Sequence, residues 1–262
     1  MAFVHLDVAS AYSSYLSPSR PEDYVARLKE QRGTALCIAD YGLHGAVRFT
    51  RAALDAGLTP ILGLRVRVCA HRALRPWAEQ PGELVLLARN ETGWLNLVAL
   101  NNLGHAAGWT AAGPRIDGDD LRRHADGLIA LSGSPDEGLL ARRAACVSDI
   151  GPLVDLARRL QDWFAGEFWL ELVYHGYALE KLVNHQLIDI SQRTGIGVVA
   201  ANAVRFARRD EALAQVVLQA IGEQKRAKGL GRGGPLPNVT IDTPAAQAYL
   251  KPAAAMERLF GS

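Results

Sequence analysis

Residues 3–13 read FVHLDVASAYS, residues 17–28 read SPSRPEDYVARL, and residues 35–68 read ALCIADYGLHGAVRFTRAALDAGLTPILGLRVRV. Three short apolar runs, Phe3–Leu6, Ala35–Ala39 and Pro60–Leu64, each lead into a charged residue: Asp7, Asp40 and Arg65. Two helical patterns separate them. Strand, helix, strand, helix, strand, with a polar group closing each strand, is the grammar of an α/β barrel or doubly wound sheet. In such folds the chemistry gathers at the carboxyl ends of the strands. Asp7, Asp40 and Arg65 are therefore the first candidate site residues.

Val4–Leu6 is predicted as the first strand. Pro21 suits a first helical position, Tyr24, Val25 and Leu28 recur at helical spacing, and Gly33 offers a stop. The next helix is predicted over Gly45–Ala56, with Val47, Ala52, Ala53 and Leu54 inward and Gly57 as its cap. Thr59–Val68 reads as the third strand, opened by Pro60 at a permitted edge position. Further strands are predicted at Leu84–Leu87, Leu128–Leu131, Phe168–Leu172 and Val198–Ala201. Helices are predicted at Thr92–Leu103 (capped by Thr92, with Leu97, Leu100 and Leu103 as its stripe), Asp119–His124, Leu139–Arg143, Gly151–Phe164, Leu179–Arg193, Asp210–Ile221 and Ala253–Phe260. Ala73–Pro81 reads as a loop or short helix, and Gly104–Asp117 as irregular.

At 262 residues the chain is long enough for one barrel-type domain with a full core. A hydrophobic fraction of 49% and a charged fraction of 21% are those of a globular protein. A net charge of +2 gives no sign of a surface that coats nucleic acid. Cys37, Cys69 and Cys146 are widely spaced and form no CxxC pair, so they read as reduced thiols. No apolar run approaches the ~18 residues of a spanning helix, and no basic region followed by an apolar one opens the chain. A cytoplasmic location with no membrane partner is the expectation. Residues 225–237, KRAKGLGRGGPLP, differ in composition, being basic and rich in Gly and Pro. The expected division is a barrel over 1–222, then this linker and a closing segment over 223–262.

The opening stretch resembles the PHP (polymerase and histidinol phosphatase) domain of bacterial C-family DNA polymerases, the polymerase III alpha subunit and its error-prone relatives. That family begins close to FVHLHVHSxYSxLDG and continues through a TDHG turn and an IxGxE strand. Later segments are similar too. Leu84–Leu103 resembles LVLLAKNxxGYxNLxxL, and Pro114–Ser132 resembles PRIDxxxLxxHxxGLIxLS. Phe168–Gly176 resembles FYLELxxHG, Val198–Phe206 resembles VVATNDVHY, and Tyr249–Phe260 resembles YLKxxxEMxxLF. The resemblance implies an α/β fold, a distorted (β/α)7 barrel.

It also implies a place for a trinuclear metal centre, held in active members by His, Asp and Glu side chains at the strand ends. Divalent cations want carboxylate oxygen and imidazole nitrogen, and clustered metals generate hydroxide and neutralise a phosphate in flight. Position by position, the HxH pair falls on Asp7 and Ala9, with His5 just outside it. The acid of the LDG turn falls on Leu16. The TDHG turn keeps Asp40 but has Tyr41 for its histidine. The third-strand glutamate is Arg65, and the position after the LSG turn is Ser134. The histidine of the HG pair is kept as His175, and the final Asp and His are Ala203 and Arg205. Ala and Leu cannot ligate, and an arginine is not deprotonated in proteins. No Zn, Mn or Mg cofactor is expected here, although family members bind them. Asp7, Asp40 and His175 are the remaining metal candidates. Arg65 and Arg205 are expected to form salt bridges with Asp7 and Asp40, since a guanidinium can stand where a cation stood.

Plainer readings stand beside these. Asp7 and Asp40 suit turn acids at strand ends, and His5 and His175 suit hydrogen-bonded structural histidines. His44, His71, His105, His124 and His185 show no ligand spacing. Ser132-Gly133-Ser134 lacks the frame of a nucleophile elbow. Gly229–Gly234 follows no strand and opens no helix, so it is no dinucleotide fingerprint. Lys225, Arg226, Lys228 and Arg232 suit either phosphate or partner contacts or a solvated linker.

By resemblance, the chain is expected to be a structural or interaction module in DNA replication or translesion synthesis. Its partners would be the rest of a polymerase subunit or a proofreading protein, with DNA met indirectly. The rival is a metal-dependent phosphoesterase or 3′–5′ exonuclease with a reduced metal set. Polymerase catalysis needs a palm with paired acids and two metals, and no residues remain for one. The stop after the closing motif favours a fragment or a split gene.

Overall fold

The structure is a computed structural model, and it describes residues 3–70, 81–110, 113–144, 149–226 and 243–261. Elements follow in the order α1 (Pro21–Glu30), β1 (Ala35–Asp40), α2 (Ala46–Asp55), β2 (Thr59–Cys69), β3 (Gly82–Ala88), α3 (Glu91–Ala107), β4 (Ile116–Asp117) and α4 (Gly118–Arg123). Then come β5 (Leu128–Leu131), α5 (Ala141–Ala144), α6 (Gly151–Trp163), β6 (Phe168–Val173), α7 (Ala178–Thr194), β7 (Val198–Ala201), α8 (Ala212–Arg226) and α9 (Ala253–Phe260). The mixed α/β class expected from the opening stretch is what forms.

Two compact units divide the chain: Met1–Ile61 with Asn202–Ser262, and Leu62–Ala201. The boundary placed between 222 and 223 on composition falls inside α8.

In the first unit, α1 begins at Pro21 because proline's fixed φ suits that position. Asp23 accepts the Arg20 N–H at 2.7 Å, a side-chain cap at the helix start. Tyr24, Val25 and Leu28 are its buried face. The predicted strand Val4–Leu6 is corrected: this segment is extended but forms no regular strand. Its backbone is still paired on both sides. His5 O and Val8 O accept from Cys37 N and Ala39 N of β1, at 3.3 and 2.8 Å. Asp7 O accepts from Val204 N at 2.8 Å, and Ala9 N donates to Val204 O at 3.0 Å. Only the Val8–Val204 bridge has ladder geometry, which is too little to make a strand. Asp7 is nevertheless held as firmly as a strand residue.

The inward face of α2 also needs correction. Phe49 and Ala53, four apart, are buried. Val47 and Leu54 are 73% and 60% exposed. At 100° per residue those two lie on one side, opposite the ring of Phe49, and the large aromatic takes the inward position.

In the second unit, β2–β3 and β3–β5 pair antiparallel, while β5–β6 and β6–β7 pair parallel. The short β4 lies parallel to the end of β2. Within this unit the strand order is β2-β3-β5-β6-β7, with β4 on β2. β3 is a continuous buried run, as a strand covered on both faces should be. Helix α3 is capped by Asn90, whose Oδ1 accepts Gly93 N at 2.9 Å, and not by Thr92. Its Gly93 is required, because a Cβ there would sit 1.9 Å from Gly127 O. Leu97 and Leu100 are buried, and Leu103 is half-buried.

Candidate functional site

In the first unit, Asp7 and Asp40 are both buried, at 1% and 2% exposure. Burial of a carboxylate is costly unless charge or hydrogen bonds compensate it. The two aspartates are compensated differently. Arg205 Nη1 stands 3.2 Å from Asp7 Oδ1 and also donates to Val204 O at 3.1 Å. Asp40 accepts three neutral donors: Ser10 N and Ser13 Oγ on Oδ1, at 2.7 and 2.6 Å, and Ser10 Oγ on Oδ2 at 2.6 Å. Ser13 Oγ in turn accepts Tyr41 N at 3.2 Å. The turn after Asp7 thus folds back on the end of β1.

The neighbouring positions bring no ligands. Ala9 is fully buried, and its carbonyl accepts the Tyr24 hydroxyl at 2.8 Å. Burial raises the Tyr24 phenol above its ordinary value, so it remains a donor. Leu16 and Tyr41 are half-buried. Ala203 is buried with φ +38°, a left-handed backbone that L side chains other than Asn and Asp rarely take. His5 donates from Nε2 to Lys251 O at 2.8 Å, which fixes its neutral tautomer. Burial pushes its pKa down to about 4, against the raising effect of that carbonyl; the charge of Lys251 lowers it further. Lys251 is itself buried, with Nζ 2.5 Å from Asn202 Oδ1. The Asn202 amide donates to the carbonyls of Gln247 and Tyr249, at 2.9 and 2.8 Å.

In the second unit, Arg65 is 2% exposed, and its acid is Glu83 of β3, 3.5 Å away. The sequence pointed Arg65 to Asp7 or Asp40; the acid found beside it within its own unit is Glu83. Arg67 approaches the other oxygen of Glu83 at 3.3 Å, so one buried carboxylate lies between two guanidinium groups. The register explains this: Arg67 is opposite Glu83, and Arg65 opposite Val85, on one face. Ser134 Oγ donates to Asp136 Oδ1 at 2.7 Å. His175 Nδ1 lies 2.9 Å from Glu180 Oε1. Glu180 Oε2 also accepts the N–H groups of His175, Gly176 and Tyr177, at 2.7, 2.9 and 3.0 Å. It closes the start of α7. Burial alone would raise the Glu180 carboxyl, but His175 and these N–H groups outweigh it and leave it lowered.

Other histidines serve locally. His124 and His185 bond the carbonyls of Asp120 and Lys181, and His105 stacks with Trp109. Lys228, Arg232, His71, Cys146 and the side chains of Lys225 and Arg226 lie outside the described residues. Ser10, Ser13, Glu83, Glu180 and Lys251 escaped the sequence reading. ASAYS after an apolar run, with serines three apart, was the available signal for the first two.

Both buried aspartates of the first unit have partners in place. A guanidinium already stands at 3.2 Å from Asp7, and the oxygens of Asp40 already accept three donors. Among the described residues, no three His, Cys, Asp or Glu side chains gather to hold an ion.

The alternation of strands and helices defines an α/β domain. The PHP domain family matches residues 5–175, and the chain belongs to that family. Its fold class is accordingly the α/β, distorted (β/α)7 barrel of PHP domains. The chain is similar to DNA polymerase III subunit alpha of Borreliella burgdorferi, 31% identical over 84% of this chain and 19% of that protein. The same subunit from Thermus aquaticus is 34% identical over 84% of this chain and 18% of the relative. That of Treponema pallidum is 30% identical over 99% of this chain and 22% of the relative. The chain therefore spans about a fifth of the length of these curated relatives. No helix among the described residues is long and apolar enough to cross a membrane.

Proposed function

We propose that this chain is the PHP module of a DNA polymerase III alpha-type subunit in which internal ion pairing has replaced metal chemistry. It acts as a structural and interaction module in DNA replication or translesion synthesis. The observation that carries this reading is the Arg205 guanidinium on buried Asp7. A fixed positive charge there supplies what a cation would supply electrostatically, and leaves no exchangeable position for water or a phosphate oxygen. The Ser10 and Ser13 hydroxyls do the corresponding work for Asp40 without any charge. Similarity to polymerase subunits about five times longer supports a partner in the remainder of such a subunit or in a proofreading protein. A cytoplasmic location agrees with that role.

The test is elemental analysis of the purified chain after incubation with zinc and manganese, followed by a 3′–5′ exonuclease assay on the same sample. Metal far below one equivalent per chain, with no nucleotide release, is the expected result. A tightly held ion together with nuclease activity abolished by Asp40→Asn would overturn the reading in favour of a working phosphoesterase.

A further inference from the structure

The closing motif YLKPAAAMERLF, at 249–260, supplies no side chain to the Asp7–Arg205 pair, yet the chain just around its start is tied to the segment that carries Arg205. Residues 246–251 run as a strap beside residues 202–206. Arg205 N and Phe206 N donate to Ala248 O at 2.7 and 3.3 Å, and Leu250 N donates to Phe206 O at 3.0 Å. Asn202 adds its side-chain amide to the carbonyls of Gln247 and Tyr249. The same segment meets Asp7 and Ala9 through the N–H and C=O of Val204. Residues 202–206 are thus the middle ply of three. Ala246 and Leu250 of the strap are fully buried, and Ala246 packs in one apolar cluster with Phe206 and Ala212. Two more bonds clamp the strap to distant parts of the unit. Gln31 Nε2, at the end of α1, donates to Leu250 O at 2.9 Å, and His5 Nε2 donates to Lys251 O at 2.8 Å.

We infer that the strap is a conformational latch on the Asp7–Arg205 ion pair: docked, it holds the guanidinium on the carboxylate, and undocked, it releases both. Arg205 itself is the joint, bound to the strap through its backbone N–H and to Asp7 through its side chain. Ala203 supplies the spring. Its φ of +38° is a conformation that an alanine leaves when nothing holds it. The strap holds it from one side, through Asn202 and Arg205. With the strap away, Ala203 relaxes toward negative φ and turns the chain that carries Arg205. Asp40 accepts instead from Ser10 and Ser13, far from the strap in sequence and not bonded to it. Two similarly buried aspartates of one unit therefore differ in whether the strap guards them. Undocking breaks the bonds of one short segment, so it needs less free energy than global unfolding. A partner that drew the strap away would uncover a carboxylate and a guanidinium together. The inference concerns what holds the pair, and stands whether or not the chain works within a polymerase.

Carboxyl footprinting of the intact chain tests it. A carbodiimide with glycine ethyl ester couples to accessible carboxyl groups, and mass spectrometry reads the rates at Asp7 and Asp40 separately. Both should be slow in the parent. Leu250→Ala, which removes the strap's buried anchor, should speed labelling of Asp7 at least about tenfold and leave Asp40 at the parent rate. Gln31→Ala removes one bond to the strap and should speed Asp7 by about two- to tenfold. It gives the readout should Leu250→Ala fail to fold by circular dichroism. Phe49→Leu, a core change on α2, is the control and should not favour Asp7 over Asp40. Hydrogen exchange on the same variants should show residues 202–206 and 246–251 opening together. Asp7 labelled at the parent rate in both strap variants overturns the proposal. So does fast labelling of Asp7 in the parent, a joint rise of Asp7 and Asp40, or selective exposure of Asp7 by Phe49→Leu. A strap that opens while 202–206 stay closed overturns it as well.

Discussion

Asp40 and Glu83 are both acids buried to 2% exposure, and they are kept there by opposite means. Glu83 lies between Arg65 and Arg67, so its charge is matched by charge. Asp40 is surrounded by two hydroxyls and a backbone N–H, so its charge is dispersed over neutral donors. Asp7 belongs with Glu83, through Arg205. The lesson concerns what each acid tolerates. A carboxylate matched by a guanidinium leaves an uncompensated buried charge when either partner goes. One held by neutral donors loses only hydrogen bonds.

The sharpest break of that contrast is Arg65→Glu, which sets a second carboxylate against Glu83. A loss on the order of 5 kcal/mol is expected, at the upper end for a broken buried pair. Urea titration would show it as a lower midpoint at unchanged slope. A variant that melts with the parent would mean that Arg67 alone satisfies Glu83. Arg205→Ala comes next, at about 3 kcal/mol, because Asp7 loses its cation. Adding Asp7→Asn should restore part of that loss, and the cycle of four proteins measures the coupling.

Acid sharpens the comparison from another side. The folded pKa of His5 is about 4, against 6.5 for the free imidazole. Between those values the unfolded chain binds the proton and the folded chain does not. Stability therefore falls as pH drops from 6.5 to 4, by about 3 kcal/mol in all. The Glu180 carboxyl is lowered by His175 and the N–H groups at the start of α7, so its contribution is present above the usual carboxylate value of 4.5 and lost as pH falls through its folded pKa. Chemical denaturation at a series of pH values should show the first loss well before the carboxylates titrate. His5→Gln should flatten that upper part of the profile and leave the lower part. Asp40→Asn is milder, at about 1–2 kcal/mol, because Oδ1 survives as an acceptor for Ser10 N and the hydroxyls can rotate. A cost equal to that of Arg205→Ala would end the distinction between charged and neutral compensation.

Much of the architecture was legible because periodicity and punctuation agree. Pro21, the Leu84–Leu87 run and the Leu97/Leu100 stripe place α1, β3 and α3 within a few residues of where they stand. Val4–Leu6 was not legible as an irregular segment, because partners far along the chain, Cys37, Ala39 and Val204, decide whether an extended run becomes a strand. The inward face of α2 went wrong for a similar reason: six apolar positions compete on ten residues, and packing of Phe49 settles it. At the site, the residue standing at each motif position could be read from the sequence, whereas its partners could not. Arg65 meets Glu83 through strand register, and register is invisible without knowing which strands are neighbours.

Ala203 offers the smallest effect and the finest test of what the backbone retains. Its φ of +38° puts an alanine in the left-handed region, in a position buried to 4%. The flanking bonds explain why it stays there. Val204 is tied to Asp7 and Ala9 through its own N–H and C=O, and Asn202 is tied to Gln247 and Tyr249 through its amide. The residue between them has no freedom to relax. In that region a Cβ costs roughly 1–2 kcal/mol, which glycine avoids while adding about 0.4–1 kcal/mol of unfolded-chain entropy. Ala203→Gly should therefore raise stability slightly, by less than about 1 kcal/mol. Thermal melting would show this as a rise of a few degrees in Tm. Ala203→Val should do the reverse and by more, since a branched side chain is excluded from positive φ. If both variants melt below the parent, contacts of the alanine methyl outweigh the strain. The backbone at Ala203 would then be shaped by packing rather than held by the bonds on either side of it.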